Sequence, residues 1–237
     1  MRILRLPLDA LVEGLCPLPP EAATYVTRVH RLGPGDRLVV FDPDRGVEAD
    51  AEIAAVDRRA VSLRVGPPRP AALRPARAVT LLQGVGKGDK LDAIVRDATE
   101  LGVTRVVPVL CERSVARPDA ARAGRWRRIA VEAARQCGRG DAPVVAAPVP
   151  FAEAVGAERG QGSCVCLDPA ADRSLGAALG ALGEGAVVFA VGPEGGLTPD
   201  ELAAAEAAGF VRVTLGPLVL RTETVCAAVL GALLARQ

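Results

Sequence analysis

The sequence predicts a small β-barrel followed by an α/β domain, and three observations support that prediction. The first 65 residues contain short β-rich runs separated by polar turns, as in small barrels. A proline-rich stretch follows at residues 66–78, and stiff segments of this composition commonly separate domains. Beyond it, apolar strands alternate with helices, which indicates a mostly parallel sheet covered on both faces. We therefore expect domains at residues 1–70 and 71–237.

Three runs predict the strands of the barrel, at residues 37–42, 48–56 and 60–65. Their β-branched and alternating apolar side chains favour extended backbone. Turn residues separate the runs, at Gly-Pro-Gly-Asp 33–36 and at Asp-Pro-Asp-Arg-Gly 42–46. Close spacing of short strands with such turns favours a barrel over a long sheet.

The second domain shows five apolar strands, and helical spacing in the stretches between them. Pro108 lies inside the second of these strands and predicts an edge strand or a strand end, because proline cannot donate to a ladder. The predicted strands cover residues 79–83, 105–110, 163–167, 186–191 and 211–215, and the clearest helices cover 89–101 and 124–137.

The formal net charge of +1 hides an uneven distribution. Residues 73–141 carry 14 basic and 8 acidic side chains, whereas residues 142–237 carry 5 basic and 10 acidic ones. The basic middle segment is either a polyanion-binding face or a solvated helix surface. Aromatic residues make up only 3% of the chain, which argues against a reader of single strands that stacks bases on aromatic rings.

The chain shows no sign of a membrane or metal protein. Its start lacks the apolar core of a signal peptide, and the longest apolar run, residues 225–235, is about half of the roughly 20 residues that a spanning helix needs. Six cysteines form no paired C-x-x-C pattern and only one histidine is present, so no metal site is expected. Buried thiols fit a cytoplasmic protein.

A glycine-rich loop at residues 84–89 follows a predicted strand and opens a helix, the location of many phosphate loops. Its spacing is G-x-G-x-G, which matches neither the dinucleotide fingerprint nor the nucleotide-triphosphatase loop. Three interpretations stay open: a nucleotide loop, a turn that contacts a phosphate through Lys87 and Lys90, or a simple flexible turn.

Two further glycine turns follow neighbouring strands near the carboxyl end. The strand at 186–191 runs into Gly192–Gly196, and Thr198, Pro199 and Glu201 then predict a capped helix start. The strand at 211–215 runs into a second turn at 216–220, before the Arg-Thr-Glu-Thr segment that opens the last helix. Glycine turns at the carboxyl ends of parallel strands commonly bind ligands, although two ordinary turns with a surface ion pair would also explain them.

The paired segments VGPEGGLTPDE and LGPLVLRTET resemble the signature of the RsmE family. That family comprises trefoil-knotted SPOUT methyltransferases, which transfer a methyl group from S-adenosylmethionine to ring nitrogen 3 of a uridine in 16S ribosomal RNA. The segment RVHRLGPGDRLVVFD resembles the PUA-like amino-terminal barrel of the family, and LLQGVGKGDKLDAIVRDATELGV resembles its middle.

The resemblance implies a C-terminal trefoil knot at about residues 186–237 and a homodimer with its active site near the subunit interface. It also implies a cofactor held by the backbone of both turns, with leucine side chains packed against the adenine. The cofactor-binding residues would be Leu167, Gly192, Pro193, Glu194, Gly195, Gly196, Leu215, Gly216, Leu220 and Thr222.

For the reaction, Arg221 is the candidate to stabilise negative charge on the uracil carbonyl oxygens. Glu223 would either orient Arg221 or act as the base that removes the N3 proton. The candidate contacts to RNA phosphates are Arg5, Arg28, Arg31, Lys87, Lys90, Arg113, Arg125, Arg127 and Arg128.

Three alternatives remain at this point. The first is a methyltransferase that acts on another RNA, and the second is a non-catalytic RNA-binding or ribosome-associated module with the same barrel and basic segment. A nucleotide-binding enzyme centred on Gly84 would need a proper phosphate loop.

Overall fold

The computed structural model describes residues 3–57, 60–118 and 120–236, and the chain divides into two compact units. The first unit contains the described residues up to Arg74 together with Ala134–Ala142, a segment that the sequence-based division places with the second domain. The second unit contains Pro75–Ala133 and the described residues from Pro143 onwards. Within the described ranges, no helix has the length and apolarity needed to cross a membrane.

The first unit is built on a six-stranded, mostly antiparallel sheet of order β1-β3-β4-β5-β2, with β6 paired to β4. Its three longest strands match the three predicted runs. The strands are β1 (Arg5–Pro7), β2 (Gly14–Pro17), β3 (Arg37–Asp42), β4 (Val47–Val56), β5 (Val61–Val65) and β6 (Arg69–Pro70).

A short helical segment connects β2 to β3 in the first unit. It begins as α1 (Pro20–Thr24) and continues as a π-helical turn over Tyr25–Val29. Val26 on that turn is fully buried and packs into the same core as Leu38 and Ile53. Burial of one apolar face explains why this segment is helical despite its β-branched residues.

The second unit contains the predicted parallel sheet, in the order β10-β8-β7-β12-β11-β13 with β9 paired to β8. Every pairing in it is parallel. Its strands are β7 (Val79–Gly84), β8 (Arg105–Leu110), β9 (Val144–Val145), β10 (Val149–Pro150), β11 (Ser163–Leu167), β12 (Val187–Val191) and β13 (Val211–Val213).

Helices cover both faces of this sheet, as its near-continuous apolar strands predict. Alternate residues of each strand point to opposite faces, so Leu81 and Phe189 pack in one core while Leu82 and Val188 pack in the other. The helices are α2 (Lys90–Glu100), α3 (Ala120–Cys137), α4 (Phe151–Ala157), α5 (Leu175–Gly180), α6 (Pro199–Ala207) and α7 (Thr222–Leu234).

Pro108 corrects one sequence-based expectation. It lies in the middle of β8, and β8 is not an edge strand, because β7 pairs with one side of it and the two-residue strands β9 and β10 with the other. The Ala146 N–H donates to the Val106 carbonyl at 2.9 Å, so the nitrogen of Pro108, two residues on, faces the same side. Neither short strand pairs with Pro108, and no ladder hydrogen bond is lost.

The topology brings several strand ends together at one edge of the sheet. Parallel strands β7, β12, β11 and β13 are consecutive neighbours, so their carboxyl ends and the loops that follow lie side by side. All three glycine-rich loops identified in the sequence follow strands of this group. The fold therefore gathers the candidate functional segments in one place, where open α/β sheets bind ligands.

Candidate active site

A cavity of about 640 Å³ lies at this carboxyl edge. All of the residues predicted to hold a cofactor line it, except Gly216. Gly216 has φ +129°, a left-handed conformation that favours glycine, and its N–H donates to the Thr214 hydroxyl. Its part is therefore to shape the second turn rather than to face the cavity.

The first turn, residues 192–196, lies directly against Gly84 at the end of β7. A β-carbon on Gly84 would lie 2.4 Å from the Pro193 nitrogen and 2.6 Å from the Gly192 carbonyl carbon, so only glycine allows this approach. Gly84 thus serves the contact between two backbone segments. This is a packing reason for a glycine that resembles part of a phosphate loop in the sequence.

The loop at 84–89 does bind an anion, but the anion belongs to the protein. The Lys87 N–H donates to Glu194 Oε1 at 3.0 Å, and a β-carbon on Gly86 would lie 2.8 Å from Glu194 Oε2. None of the three sequence-based interpretations of this loop included such a partner. The carboxylate of Glu194 takes the place that a nucleotide phosphate has in proteins with a true phosphate loop.

Glu194 is held as a carboxylate by its surroundings. Burial raises its pKa, but hydrogen bonds from its own backbone, from Lys90 and from the Lys87 amide outweigh burial, so the pKa lies below its ordinary value. Lys90 Nζ lies 3.0 Å from Glu194 Oε1. The first turn is therefore anchored to the start of α2 by a charged contact as well as by packing.

Lys90 also approaches the last helix. Its Nζ lies 3.7 Å from Oε2 of Glu223, which belongs to the first turn of α7. The side chains of Lys90 and Glu194 are each about one-third exposed, and Lys90 lines the cavity. A lysine that the sequence indicates as an RNA contact thus lies between two carboxylates at the candidate site.

Arg113 is a second predicted RNA contact that lines the cavity. Its guanidinium donates to the Gly195 carbonyl at 2.8 Å and, less closely, to the Leu197 carbonyl at 3.4 Å. A β-carbon on Gly195 would lie 3.1 Å from the Arg113 β-carbon, so the stem of the arginine also packs on the turn. Arg113 holds the far side of the first turn.

Gln83 is a site residue that the sequence reasoning missed. It is fully buried at the end of β7, and its side-chain amide donates to the Thr222 hydroxyl at 2.9 Å. The Thr222 hydroxyl in turn donates to the Gly192 carbonyl at 2.9 Å. The available signal was a polar residue at the end of the apolar run VTLLQ, immediately before a glycine.

Asp168 was also missed, although it follows the buried strand β11. It lines the cavity, accepts hydrogen bonds from Arg212 Nε at 2.9 Å and from the Ala170 N–H at 3.0 Å, and is almost fully buried. Arg212 lies on β13, so this ion pair joins the ends of two neighbouring strands. The sequence shows an acid after an apolar strand but not its partner.

The side chains of Arg221 and Glu223, the two candidate catalytic residues, have different surroundings. Arg221 is exposed and lines the cavity, and its guanidinium makes no hydrogen bond or ion pair within the described residues. Glu223 does not line the cavity, and the cation beside it is Lys90. The expectation that Glu223 orients Arg221 therefore finds no contact between the two side chains.

The remaining predicted RNA contacts differ in their solvent exposure and in their partners. Arg5 is engaged inside the first unit, where it pairs with Glu48 at 2.8 Å and lies over the ring of Phe41. Arg125 pairs with Asp92, and Arg127 donates to the Pro143 carbonyl at 3.0 Å. The exposed members are Arg28, Arg31, Lys87, Arg125 and Arg128, of which only Arg125 has an ion-pair partner within the described residues.

No group of three or more potential metal ligands occurs in the part of the chain that the structure describes. All six cysteines are free, and burial raises the pKa of the Cys111, Cys166 and Cys226 thiols to about 12. These thiols are packed as apolar side chains and are poor nucleophiles.

Two family models match the chain. An RNA methyltransferase domain matches residues 74–234, and an RNA methyltransferase PUA domain matches residues 18–66. Together they span both units of the structure. The glycine turns, Arg221 and Glu223 all lie within the first of these matches.

Curated relatives match over most of the chain. The ribosomal RNA small subunit methyltransferase E of Synechocystis is 35% identical, over 91% of this chain and 71% of its own length. The protein of the same name from Mycobacterium bovis is also 35% identical, over 94% of this chain and 85% of its own length.

A solved structure matches both units. It is the ribosomal RNA small subunit methyltransferase E from Neisseria gonorrhoeae bound to S-adenosyl methionine, with a TM-score of 0.90 and 29% identity. The match covers 99% of this chain and 98% of that one.

The hydroxyl of Thr222 is expected to stabilise the site measurably. Thr222→Val keeps the shape but leaves the buried Gln83 amide and the Gly192 carbonyl without that partner, which should cost about 1–3 kcal/mol of unfolding free energy. Urea unfolding measures the loss. Thr222→Ser should recover most of it, and Thr80→Val on the same strand as Gln83 is the control, because Thr80 makes no side-chain hydrogen bond within the described residues. A Thr222→Val protein as stable as the wild type would contradict the bridge.

The Glu194 carboxylate should make stability depend on pH. Because its pKa is lowered on folding, its contribution is present above the unfolded-state pKa, roughly 4.3, and is lost as the pH falls through the lower folded-state value. The difference in unfolding free energy between wild type and Glu194→Gln should therefore be largest near neutral pH and shrink in acid. Glu153→Gln, at an exposed glutamate of α4, is the matched control. A constant difference across the pH range would show that the ion pair does not act this way.

Proposed function

This chain belongs to the ribosomal RNA small subunit methyltransferase E family, and on that premise we propose that it transfers a methyl group from S-adenosylmethionine to ring nitrogen 3 of a uridine in 16S ribosomal RNA. The observation that carries the proposal is the cavity between the two glycine turns, which the family's paired segments build. The two family-model matches and the relatives over most of the chain support the same reaction.

The residues present fit this cofactor. The cavity is within the usual range for small-molecule sites, roughly 300–1,000 Å³. Residues of both turns line it, so that backbone amides and carbonyls of residues 192–196 and 215–220 would hydrogen-bond the adenine and ribose of the cofactor. Leu167, Leu215 and Leu220 supply apolar walls for the adenine. The cofactor, when bound, supplies a methyl group on a positively charged sulfur, ready for direct transfer.

The chain's own residues would control charge at the uracil. Nitrogen 3 becomes a good nucleophile only as its proton leaves, and negative charge then spreads onto the two carbonyl oxygens. Arg221 presents an unpaired guanidinium at the cavity, where it would stabilise that charge. Alignment and charge control suffice for a direct methyl transfer, so no covalent nucleophile is needed.

We assign to Glu223 the role of the base that removes the proton from ring nitrogen 3. Its Oε2 atom is buried and accepts no hydrogen bond within the described residues, and the cation beside that atom is Lys90, at 3.7 Å. Glu223 lies two residues after Arg221 at the start of α7, next to Thr222, which lines the cavity. The orienting role stays the alternative; the side chains of Arg221 and Glu223 make no hydrogen bond to each other within the described residues.

The finer architecture belongs to the same proposal. We place a trefoil knot at residues 186–237: the chain returns after β12 to pair β13 with β11, and Thr222 at the start of α7 then bonds to Gln83 of β7.

A homodimer is supported by the second turn, where Leu218 and Val219 are 73% and 84% exposed. The six free thiols fit a reducing cytoplasm.

RNA binding would use exposed cations of both units. Arg28 and Arg31 in the PUA domain, and Lys87 and Arg128 in the methyltransferase domain, are exposed. Contacts of this kind fix the position of the RNA through its phosphates rather than its bases. Affinity for ribosomal RNA should then fall as salt rises.

The cofactor and the reaction can be tested together. S-adenosylmethionine and its demethylated product should stabilise the protein by about 2.7 kcal/mol at a hundredfold excess over Kd, whereas ATP and NAD should have no effect. Thermal unfolding with each ligand measures this.

With small ribosomal subunits from a strain that lacks the enzyme, mass mapping of the RNA should show one new methyl group on a uridine. Cofactor binding without methylation of any ribosomal RNA would favour the non-catalytic module or a different RNA.

Arg221→Ala should separate binding from turnover. The substitution removes the cation proposed for the uracil oxygens, so kcat should fall by about 10²–10³. Calorimetry should show a Kd for S-adenosylmethionine within about threefold of wild type, because backbone groups hold the cofactor. Arg236→Ala removes an exposed arginine at the far end of α7 and serves as the control. Lost cofactor affinity with normal turnover at saturation would refute the assignment.

A further inference from the structure

We propose that Lys90 is a positioning residue for methyl transfer, which holds the carboxylate of Glu223 in place and links it to the first glycine turn through Glu194. The inference rests on the proposed function, since it assigns a part in the same reaction. It replaces, for Lys90, the role of an RNA phosphate contact that the sequence indicates.

Three segments meet at the Lys90 ammonium group. Lys90 opens α2, Glu194 lies in the turn after β12, and Glu223 lies in the first turn of α7. The nitrogen is 3.0 Å from Glu194 Oε1 and 3.7 Å from Glu223 Oε2. The residues are far apart in the sequence, so only the folded chain creates this arrangement.

The two carboxylates need a cation between them. Each lies within 4.0 Å of the same nitrogen, so they are at most about 8 Å apart, a distance at which like charges repel. Lys90 is the one cation within 4.0 Å of Glu223 among the described residues. Without Lys90, Glu223 would lose its partner and would be pushed away from Glu194.

The first turn does not depend on Lys90 in the same way. Glu194 also accepts a hydrogen bond from the Lys87 N–H, and Gly84 and Arg113 hold the turn by packing and hydrogen bonding. Loss of the Lys90 charge should therefore leave the cofactor turn in place. Its effect should fall on Glu223, whose buried Oε2 accepts no hydrogen bond in the described part of the chain.

The surroundings also make Lys90 a weak phosphate contact. Its charge is shared between two carboxylates, and its side chain is only about one-third exposed. Lys87, three residues earlier, has an exposed side chain that makes no hydrogen bond or ion pair within the described residues. Lys87 and Lys90 are thus a matched pair, with the same charge on the same loop and helix start but different surroundings.

The experiment compares variants of the full-length protein on small ribosomal subunits. Lys90→Met should lower kcat about 10- to 100-fold, with KM for the subunit and Kd for S-adenosylmethionine within about threefold of wild type. Lys90→Arg, which keeps the charge, should recover most of kcat. Lys87→Met should instead raise KM for the subunit and leave kcat nearly unchanged. Arg96→Met, which removes an exposed cation from α2, should alter neither constant.

A double-mutant cycle separates positioning from general structural damage. If Lys90 acts through Glu223, Lys90→Met should lower kcat by less than about threefold in a Glu223→Gln background. An equal loss in both backgrounds would show that Lys90 acts independently and would overturn the proposal. A raised KM with unchanged kcat would make Lys90 an RNA contact, which also overturns it. If the wild type binds the cofactor but methylates no ribosomal RNA, the proposed function fails first, and this inference fails with it.

Discussion

The rest of the site depends on the hydroxyl of Thr222. It accepts a hydrogen bond from the buried Gln83 amide and donates one to the Gly192 carbonyl, so one oxygen joins β7, the first glycine turn and the start of α7. With Gly84 packed against Pro193, these bonds hold the first turn against the end of β7 and the start of α7.

Charge in the methyltransferase domain serves the fold as much as the RNA. Cations of the basic middle segment pair with acids of the same segment, as Arg125 does with Asp92, and with acids of the carboxyl-terminal segment, as Arg105 does with Glu158 and Lys90 with Glu194. Charge counted along the sequence therefore overstates what is available to a polyanion. The exposed cations without an ion-pair partner within the described residues, such as Arg28, Arg31, Lys87 and Arg128, are a smaller set than the composition suggests.

Local patterns were the best guide to the elements and to the outline of the site. The capping box of Thr198 and Glu201 and the apolar face of α2 are confirmed, since each depends on neighbours within one or two turns. The two-residue strands β9 and β10 were missed, because so short a segment has no periodicity of its own. Proline cannot donate to a ladder, which is why Pro108 predicts an edge strand or a strand end. In the structure its nitrogen instead faces the gap between β9 and β10, where no ladder partner is present among the described residues.

By itself, the sequence determined the longer strands and helices, the glycine turns and the family resemblance, because each is encoded in contiguous residues. Only the tertiary structure decided the partners of charged and polar groups that lie far apart in the sequence. Glu194 meets the Lys87 amide across 107 positions, and Gln83 meets Thr222 across 139. Hydrogen bonds and ion pairs of this kind act over a few ångströms in space, and the chain path between the partners leaves no local pattern that reveals them.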